Sequence, residues 1–244
     1  MARTDAAYRA RVRSKYNGLK VIWAKEDRWH AWSRCQIEME MHLVGQQLQL
    51  PGQSLVVDVG SAGETYGLVS TDRIDVDLAE TRLKCARWPV CANAERLPLA
   101  SGIADVTVCV GPTINYCSLD ETLSELVRIT KVNGTLVLHV ELSNSWEFAG
   151  NGAFRADAAF VNTFYEGKES IWVYSDSLVR RLSVGLGLKL IRARYFHLLS
   201  SAAYRLTKRP NLSAAFAHAD HLLRHVPGIG RFADSSIYVF QKVV

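Results

Sequence analysis

The stretch Val57-Asp58-Val59-Gly60-Ser61-Ala62-Gly63 decides the fold class. It is an apolar strand that ends in small residues, and such a loop lets backbone N–H groups approach a ligand closely because glycine has no Cβ. Asp58 stands at the carboxyl end of the strand, where it can accept hydrogen bonds from a cationic ligand or orient the loop. A dinucleotide site would need Gly-x-Gly-x-x-Gly, but Ala62 and Thr65 occupy the second and third glycine positions. The stretch therefore predicts a ligand-binding loop and argues against NAD.

Short apolar runs on both sides of this loop alternate with helical segments. The predicted strands are Leu55–Val57, Arg73–Asp77, a third that ends at Asn93, Asp105–Val110 and Thr135–Val140. A helix over Asp120–Thr130 turns at Asn133-Gly134 into the last of them. This alternation predicts an α/β fold with a parallel sheet covered on both faces. Two further strands, Lys189–Tyr195 and Ser236–Phe240, can pair antiparallel at the sheet edge.

The chain has no internal repeat and no linker-like stretch, so we expect one domain over residues 1–244. Helices at 5–17 and 27–48, ended by Pro51-Gly52, predict an N-terminal helical cap over 1–50. The other expected parts are a cofactor-binding core at 54–141, an acceptor lid at 142–175 and a helical insert at 198–232.

Composition excludes several classes of protein. The 244 residues are 48% hydrophobic and 22% charged, which is typical of a folded domain and not of a disordered chain. Five cysteines without a Cys-x-x-Cys pair argue against a disulfide framework, and we expect a reducing compartment. The N-terminus has no signal-peptide core and no run is long enough to span a bilayer, so we expect a cytoplasmic protein.

The net charge of +5 is concentrated in two basic blocks, at residues 1–34 and 179–210. These blocks could attract an anionic substrate, a nucleic acid or an acidic membrane surface, or they could be solvated helix faces.

Two polar residues stand at the ends of later predicted strands. Asp77 lies 17 residues beyond Gly60, where a carboxylate is positioned for vicinal ribose hydroxyls. Asn93 presents an amide that could face an adenine edge. These positions predict a nucleoside-containing ligand.

Five ordered stretches together resemble the class I S-adenosylmethionine-dependent methyltransferases, in particular the small-molecule branch similar to the ubiquinone/menaquinone-type enzymes. They are Val57–Gly63, Val76-Asp77-Leu78, Asn93–Leu99, Asp105-Val106 and Glu125–Gly134. The chain departs from the family pattern at Ala62, which replaces a glycine, and at Asn93, which replaces an aspartate. The short segment between Gly60 and Asp77 predicts a truncated helix.

The resemblance implies a Rossmann-like seven-stranded sheet whose last strand is antiparallel, with helices on both faces. It implies S-adenosylmethionine as the cofactor, S-adenosylhomocysteine as its product, and methyl transfer to a small aromatic or apolar metabolite, as in secondary metabolism. Methionine atoms would lie over Gly60–Gly63, Asp77 would hold the ribose, and Asn93-Ala94 the adenine. The implied cofactor-binding residues are Asp58, Gly60, Ser61, Ala62, Gly63, Asp77, Leu78, Asn93, Ala94, Glu95, Val110 and Gly111.

No catalytic base stands out from the sequence. Glu141, His30 and Tyr116 are the candidates, because a phenol or enol acceptor often needs such a group within reach. The candidate substrate-binding residues are Asn115, Tyr116, Trp146, Phe164 and Tyr165. The last three belong to eight aromatic residues between 142 and 174, which predict either a pocket for a flat, apolar acceptor or a small satellite core.

Several alternatives remain open. His218, His221 and His225 share one face of a predicted helix, but a solvated or packed face is favoured and we expect no metal site. The insert at 198–232 could be a lid, a homodimer surface or a contact with anionic lipid. The acceptor could be RNA or protein, or the chain could bind the cofactor without catalysis. The absence of Asn-Pro-Pro-Tyr after the fourth strand argues against methylation of nucleic-acid amines, so we expect a small-molecule partner.

Overall fold

A seven-stranded sheet forms the centre of the computed structural model, which describes residues 5–24, 26–49, 54–68, 70, 72–162, 170–223, 226 and 228–244. The strands of the described chain are β1 (Leu55–Val59), β2 (Asp72–Asp77), β3 (Trp88–Cys91), β4 (Ala104–Cys109), β5 (Thr130–Glu141), β6 (Ala158–Asn162), β7 (Ser170–Tyr174), β8 (Leu188–Phe196) and β9 (Ser235–Lys242). The helices are α1 (Ala6–Gly18), α2 (Arg28–Gln47), α3 (Leu119–Ile129), α4 (Asp176–Gly185), α5 (Leu198–Thr207), α6 (Pro210–Ser213) and α7 (Asp220–Leu223).

The sheet has the order β3-β2-β1-β4-β5-β9-β8, with β1 to β5 parallel. The last strand, β9, lies between β5 and β8 and runs antiparallel to both. The predicted seven-stranded α/β sheet with an antiparallel last strand is therefore confirmed. Because the five parallel strands end at the same edge, the loops that follow them come together there.

Helices cover both faces of the sheet. On one face α2 places Ile37, Met41 and Val44 against apolar residues of β1, β4, β5 and β9. On the other face α3 buries Leu123 and Leu126, and α4 buries Val179, in the larger apolar core. Both faces are thus closed by helices whose apolar residues recur at helical spacing.

The loop region differs from the prediction in three places. Between β1 and β2 the described residues form turns and no helix, so the helix expected there in shortened form is missing. β3 ends at Cys91 because the side chain of Asn93 accepts the Glu95 N–H at 3.1 Å and turns the chain. The aromatic segment after β5 contains a hairpin, β6–β7, that the sequence analysis did not predict.

The insert after β8 packs on the N-terminal end of α2. The indole of Trp29 stacks on the His197 ring with centroids 3.9 Å apart, and the Arg28 N–H donates to the Asn211 side chain at 2.9 Å. In the part of the chain that the structure describes, no helix is both long and apolar enough to cross a membrane.

Candidate active site

A cavity of about 190 Å³ opens at the carboxyl ends of the parallel strands. Its floor is formed by the loops after β1, β2, β3 and β4, and by Glu141 at the end of β5. Its roof is formed by α1, by the segment from Leu19 to Trp23 and by His30 of α2. Of the expected cofactor-binding residues it is lined by Gly60, Ala62, Asp77, Leu78, Asn93, Ala94, Glu95 and Gly111.

The glycine loop lies tightly against its surroundings. Gly60 has φ +75°, and a Cβ there would stand 2.1 Å from the Thr113 hydroxyl oxygen. Gly63 has φ +77°, and a Cβ there would stand 2.6 Å from the carbonyl oxygen of Arg82. Ala62 also has a positive φ, +50°, and therefore carries the strain of a left-handed alanine. The positive φ and the lack of room for a Cβ both require glycine at positions 60 and 63.

Asp77 is held by the backbone of two loops. Its Oδ2 accepts the Ala62 N–H at 2.9 Å and its Oδ1 accepts the Ala79 N–H at 2.7 Å. Burial raises the pKa of the Asp77 carboxyl, although these two N–H groups oppose the shift. A carboxylate has about four acceptor sites, so each oxygen keeps capacity for one more donor. The side chain therefore fits a pair of adjacent ribose hydroxyls.

A buried network connects the loop after β3 with α1. Glu95 accepts the Asn93 amide at 3.0 Å, the Ser118 N–H at 2.8 Å and an Arg9 N–H at 3.2 Å. The Asn93 side chain is thus committed to Glu95 through both its amide and its carbonyl oxygen. Asn93 lines the cavity, but its side chain holds the loop in shape.

Four expected cofactor-binding residues do not line the cavity. Asp58 is buried beneath α2 and accepts an Arg73 N–H at 2.7 Å; burial raises its pKa to about 7, although Arg73 opposes the shift. Ser61 is buried and accepts the Gly63 N–H at 3.3 Å. Val110 is part of the core beneath α2, and Gly63 is confined by Arg82. These four residues support the shape of the loop without lining the cavity.

The other end of the cavity contains Glu141 and Tyr116. The Tyr16 hydroxyl of α1 donates to the Tyr116 hydroxyl at 3.0 Å, and the Lys15 ammonium lies 5.1 Å from the Tyr16 ring centre. Asn115 does not line the cavity. It is buried, and its side chain bonds the Glu141 N–H and C=O groups and the Trp172 carbonyl, so it fixes the end of β5 against β7.

The aromatic candidates lie elsewhere. Trp146 is exposed and stacks on Phe232 with ring centres 4.9 Å apart. Phe148 joins Ile171 and Val173 in a small core of its own. Phe164 and Tyr165 lie outside the described residues. The described aromatic residues of this segment fit the predicted satellite core better than the predicted pocket wall.

A neighbouring carboxylate fixes the orientation of the His30 ring in the cavity. Its Nδ1 lies 2.5 Å from Asp27 Oδ2, and its backbone N–H donates to Asp27 Oδ1 at 3.0 Å. Burial by itself would raise the pKa of Asp27, but the hydrogen bonds and the electrostatic attraction of His30 outweigh it and hold the pKa below its usual value. One carboxylate thus caps α2 and orients the His30 ring.

Sequence reasoning missed two groups of residues at the site. One is Asp27, which does not line the cavity but bonds His30; its signal was an aspartate at a predicted helix start, three residues before a histidine. The other is the α1 roof, including Arg9 and Tyr16, for which the sequence carries no local signal. Among the described residues, no group of three His, Cys, Asp or Glu side chains could hold a metal ion; His225 and the side chain of His221 lie outside that part.

Residues 57–138 match the family described as "Methyltransferase domain". No curated protein has a sequence that matches this chain significantly.

Several solved structures share the fold. The 1,6-didemethyltoxoflavin-N1-methyltransferase of Burkholderia thailandensis has a TM-score of 0.61 at 11% identity, covering 100% of this chain and 93% of that one. The geranyl diphosphate C-methyltransferase of Streptomyces coelicolor has a TM-score of 0.58 at 13% identity, covering 99% and 100%. A Thermotoga maritima protein described as a possible histamine N-methyltransferase has a TM-score of 0.57 at 16% identity, covering 98% and 99%.

At these identities the solved structures establish the fold, while the domain match points to the chemistry. The two findings agree: residues 57–138 match a methyltransferase domain, and the chain has the fold of solved methyltransferase structures.

Proposed function

We propose that the protein methylates a small, largely apolar acceptor that binds between α1 and Glu141. The observation that carries this proposal is the roof over the cavity. Val12, Leu19, Ile22 and Trp23 give this roof apolar atoms, and α1 closes the cavity from above. Ile171 of β7 adds to the apolar lining. A polymer would have to thread beneath α1, whereas a small molecule can be enclosed. RNA or protein as the acceptor is the alternative.

Two of the similar structures fit this proposal. The names of the Burkholderia and Streptomyces enzymes identify small-molecule acceptors, a toxoflavin precursor and geranyl diphosphate. The order of motifs resembles the ubiquinone/menaquinone-type branch, and we propose that branch as the nearest relationship and secondary metabolism as the setting. Cys35, Cys85 and Cys91 are exposed free thiols, which fits a reducing, cytoplasmic location.

We assign the cofactor to the loops after β1, β2 and β3. The Gly60–Gly63 turn would take the methionine part, Asp77 the ribose hydroxyls, and the Asn93–Glu95 loop the adenine. When bound, S-adenosylmethionine supplies an electrophilic methyl group on a sulfonium. In-line transfer then depends mainly on positioning and on the exclusion of water, and α1 provides the cover for both.

His30 is our candidate for the general base. Because the ionised Asp27 carboxylate can only accept, we assign the ring proton to Nδ1, which makes Nε2 the proton acceptor of the neutral ring. An O–H or N–H acceptor that takes the methyl group must lose one proton, and His30 Nε2 would receive it. Glu141 and Tyr116 line the same end of the cavity and remain the other candidates for proton transfer.

A transfer assay tests the proposal. Radioactive methyl transfer from S-adenosylmethionine is measured to a panel of small phenols, heteroaromatic amines and prenyl diphosphates, and in parallel to total RNA and to a protein extract. Methylation of a small molecule that drops at least about 100-fold in His30→Gln supports the proposed acceptor and base. The exposed His42 provides the matched control, His42→Gln, which should retain activity. Transfer only to RNA or protein would contradict the small-molecule proposal.

A further inference from the structure

The insert after β8 presents an unusual surface. Leu206, Leu212, Phe216, Leu222 and Val226 are exposed within a stretch of about twenty residues, and Leu206 is 84% exposed and Leu222 76%. Such a concentration of exposed apolar side chains indicates a contact with another apolar phase or partner. We call residues 205–223, 226 and 228–231 the insert surface.

The charge of the insert surface is entirely positive. Arg205, Lys208, Arg209 and Arg231 are exposed, and none of the four forms an ion pair with another described residue. Between residues 198 and 232 the sequence contains one acid, Asp220. Asp220 is buried, and its two oxygens accept the Leu198 and Leu199 N–H groups at 2.8 Å each. Within the described insert the cations therefore have no exposed acidic neighbour, and outside it Lys208 interacts electrostatically with Glu147.

Exposed or half-exposed cations elsewhere in the described chain are often paired. Arg34 bonds Glu38, Lys131 bonds Asp105 and Arg181 bonds Asp157, at 2.7 to 2.9 Å. The cations of the insert form no ion pair among the described residues, and along the sequence they are interspersed with exposed leucines. This combination favours a partner that is both negatively charged and apolar beneath its charged layer.

We propose that the insert surface docks the protein on an anionic lipid bilayer. The exposed leucines and Phe216 would enter the boundary between headgroups and acyl chains, and the arginines and Lys208 would contact lipid phosphates. A nucleic acid would satisfy the cations but would leave Leu206 and Leu222 in water. A second copy of the chain would have to bring two surfaces of the same positive sign together.

Docking would place the active site close to the membrane. The insert packs on the first turn of α2 through the Trp29–His197 stack and the Arg28–Asn211 bond, and the same turn contributes His30 to the cavity roof. The lipid contact does not depend on which acceptor is methylated.

Vesicle sedimentation tests the proposal with the full chain. The protein should bind phosphatidylcholine vesicles that contain about one third phosphatidylglycerol, and should not bind vesicles of phosphatidylcholine alone. Because each cation near such a surface strengthens binding roughly fivefold, Arg205→Gln with Arg209→Gln should weaken binding about 25-fold. Leu206→Asn with Leu222→Asn should weaken it at least about tenfold.

Matched controls test whether the loss of binding is specific to the insert or follows from removing any exposed cation or apolar side chain. Lys84→Gln with Lys189→Gln removes two exposed cations elsewhere. Val184→Asn with Val244→Asn removes two side chains that are 70% and 76% exposed. Both controls should bind anionic vesicles as the wild type does.

Three outcomes would overturn the proposal. The first is no binding to anionic vesicles, or equal losses in the control variants. The second is tight binding to single-stranded RNA that the leucine substitutions leave unchanged. The third is a dimer in sedimentation velocity that Leu206→Asn with Leu222→Asn dissociates. Since none of these measurements uses methyl transfer, failure of the docking proposal leaves the proposed function untouched.

Discussion

At the scale of single residues, Ala62 is a strained position in the glycine loop. Its φ of +50° costs an alanine about 1 kcal/mol or more, and glycine avoids that cost while losing part of the gain to unfolded-state entropy. We expect Ala62→Gly to raise the free energy of unfolding by about 0.5 kcal/mol in urea denaturation.

Two substitutions calibrate this expectation. Gly67 has φ +77° with open space around it, so Gly67→Ala measures left-handed strain alone, about 1 kcal/mol. Gly60→Ala adds the overlap with Thr113 and should cost clearly more. If Ala62→Gly lowers stability while Gly67→Ala also lowers it, the strain assigned to Ala62 is wrong.

His139 is a second residue with a measurable consequence. It is fully buried in β5, and neither ring nitrogen has a hydrogen-bond partner among the described residues. Burial lowers the pKa of His139 to about 3, well below the 6.5 of an ordinary histidine. Between these two pKa values the unfolded chain binds a proton at this ring and the folded chain does not. The free energy of unfolding therefore falls as the pH falls from about 6.5 towards 3.

We therefore expect His139→Leu to be more stable than the wild type, by an amount that grows about 1 kcal/mol between about pH 6 and pH 5. Comparing the two proteins cancels the opposing contribution of buried carboxyl groups such as Asp234, whose pKa burial raises to about 6. The control is His42→Leu, which changes an exposed histidine. A difference that stays constant with pH would contradict the account.

The positions of single residues at the cavity could be predicted where a backbone requirement or a charge leaves a local pattern in the sequence. Gly60 and Asp77 could be located because a loop after a buried strand and an acid after the next strand have characteristic spacing. Asn115 could not be assigned correctly, because its role depends on β7, which lies 57 residues away along the chain.

At the scale of elements, α1 is held over the cavity by polar contacts more than by buried apolar surface. Tyr8 is its one buried residue. The Tyr8 hydroxyl donates to the Ser170 carbonyl at 2.7 Å, and the Tyr16 hydroxyl donates to Tyr116 at 3.0 Å. A helix with so little buried apolar surface opens locally at low cost. We infer that α1 opens to admit ligands.

Tyr16→Phe removes the hydroxyl bond to Tyr116 and should speed the release of S-adenosylhomocysteine about fivefold, as expected for a contribution near 1 kcal/mol. Stopped-flow displacement measures this rate. Tyr195→Phe removes a hydroxyl that donates to Asp176, away from the cavity, and serves as control. Equal release rates in Tyr16→Phe and the wild type would show that α1 does not limit release.

The buried Glu40 ties α2 to the edge strand β8. Its two oxygens accept Nε–H groups of Arg192 and Arg194 at 2.5 and 2.8 Å. Removing one member of such a buried cluster leaves the others unpaired, so Glu40→Gln should cost about 3 kcal/mol in urea denaturation. The half-exposed Arg34–Glu38 pair provides the comparison, and Glu38→Gln should cost less than about 0.5 kcal/mol. Similar losses for both variants would contradict this role of Glu40.

Element prediction worked where apolar periodicity is local. The helices α2 and α3 and the strands β1, β2 and β4 lie within a few residues of their predicted bounds. The hairpin β6–β7 was not predicted because its aromatic residues fit a pocket wall as well as a small core. The position of α1 could not be predicted because polar contacts distant in sequence determine it.

At the scale of the whole molecule, the strand order brings the candidate site residues together. Residues from β1, β2 and β3 supply one end of the cavity, and those after β4 and β5 supply the other. The insertion of β9 between β5 and β8 places the insert beside α2 and therefore beside His30. The class of fold was predictable from alternation and motif order, but the roof over the site is a tertiary property.

The most direct test of the central claim is calorimetric titration with S-adenosylhomocysteine of the wild type, Asp77→Asn and Asp72→Asn. Both variants remove one carboxylate of β2, but only Asp77 lines the cavity. We predict saturable one-to-one binding to the wild type and Asp72→Asn, and binding at least about 30-fold weaker in Asp77→Asn, from the loss of charge-assisted bonds to two hydroxyls. No binding to the wild type, or equal binding to all three proteins, would contradict the account.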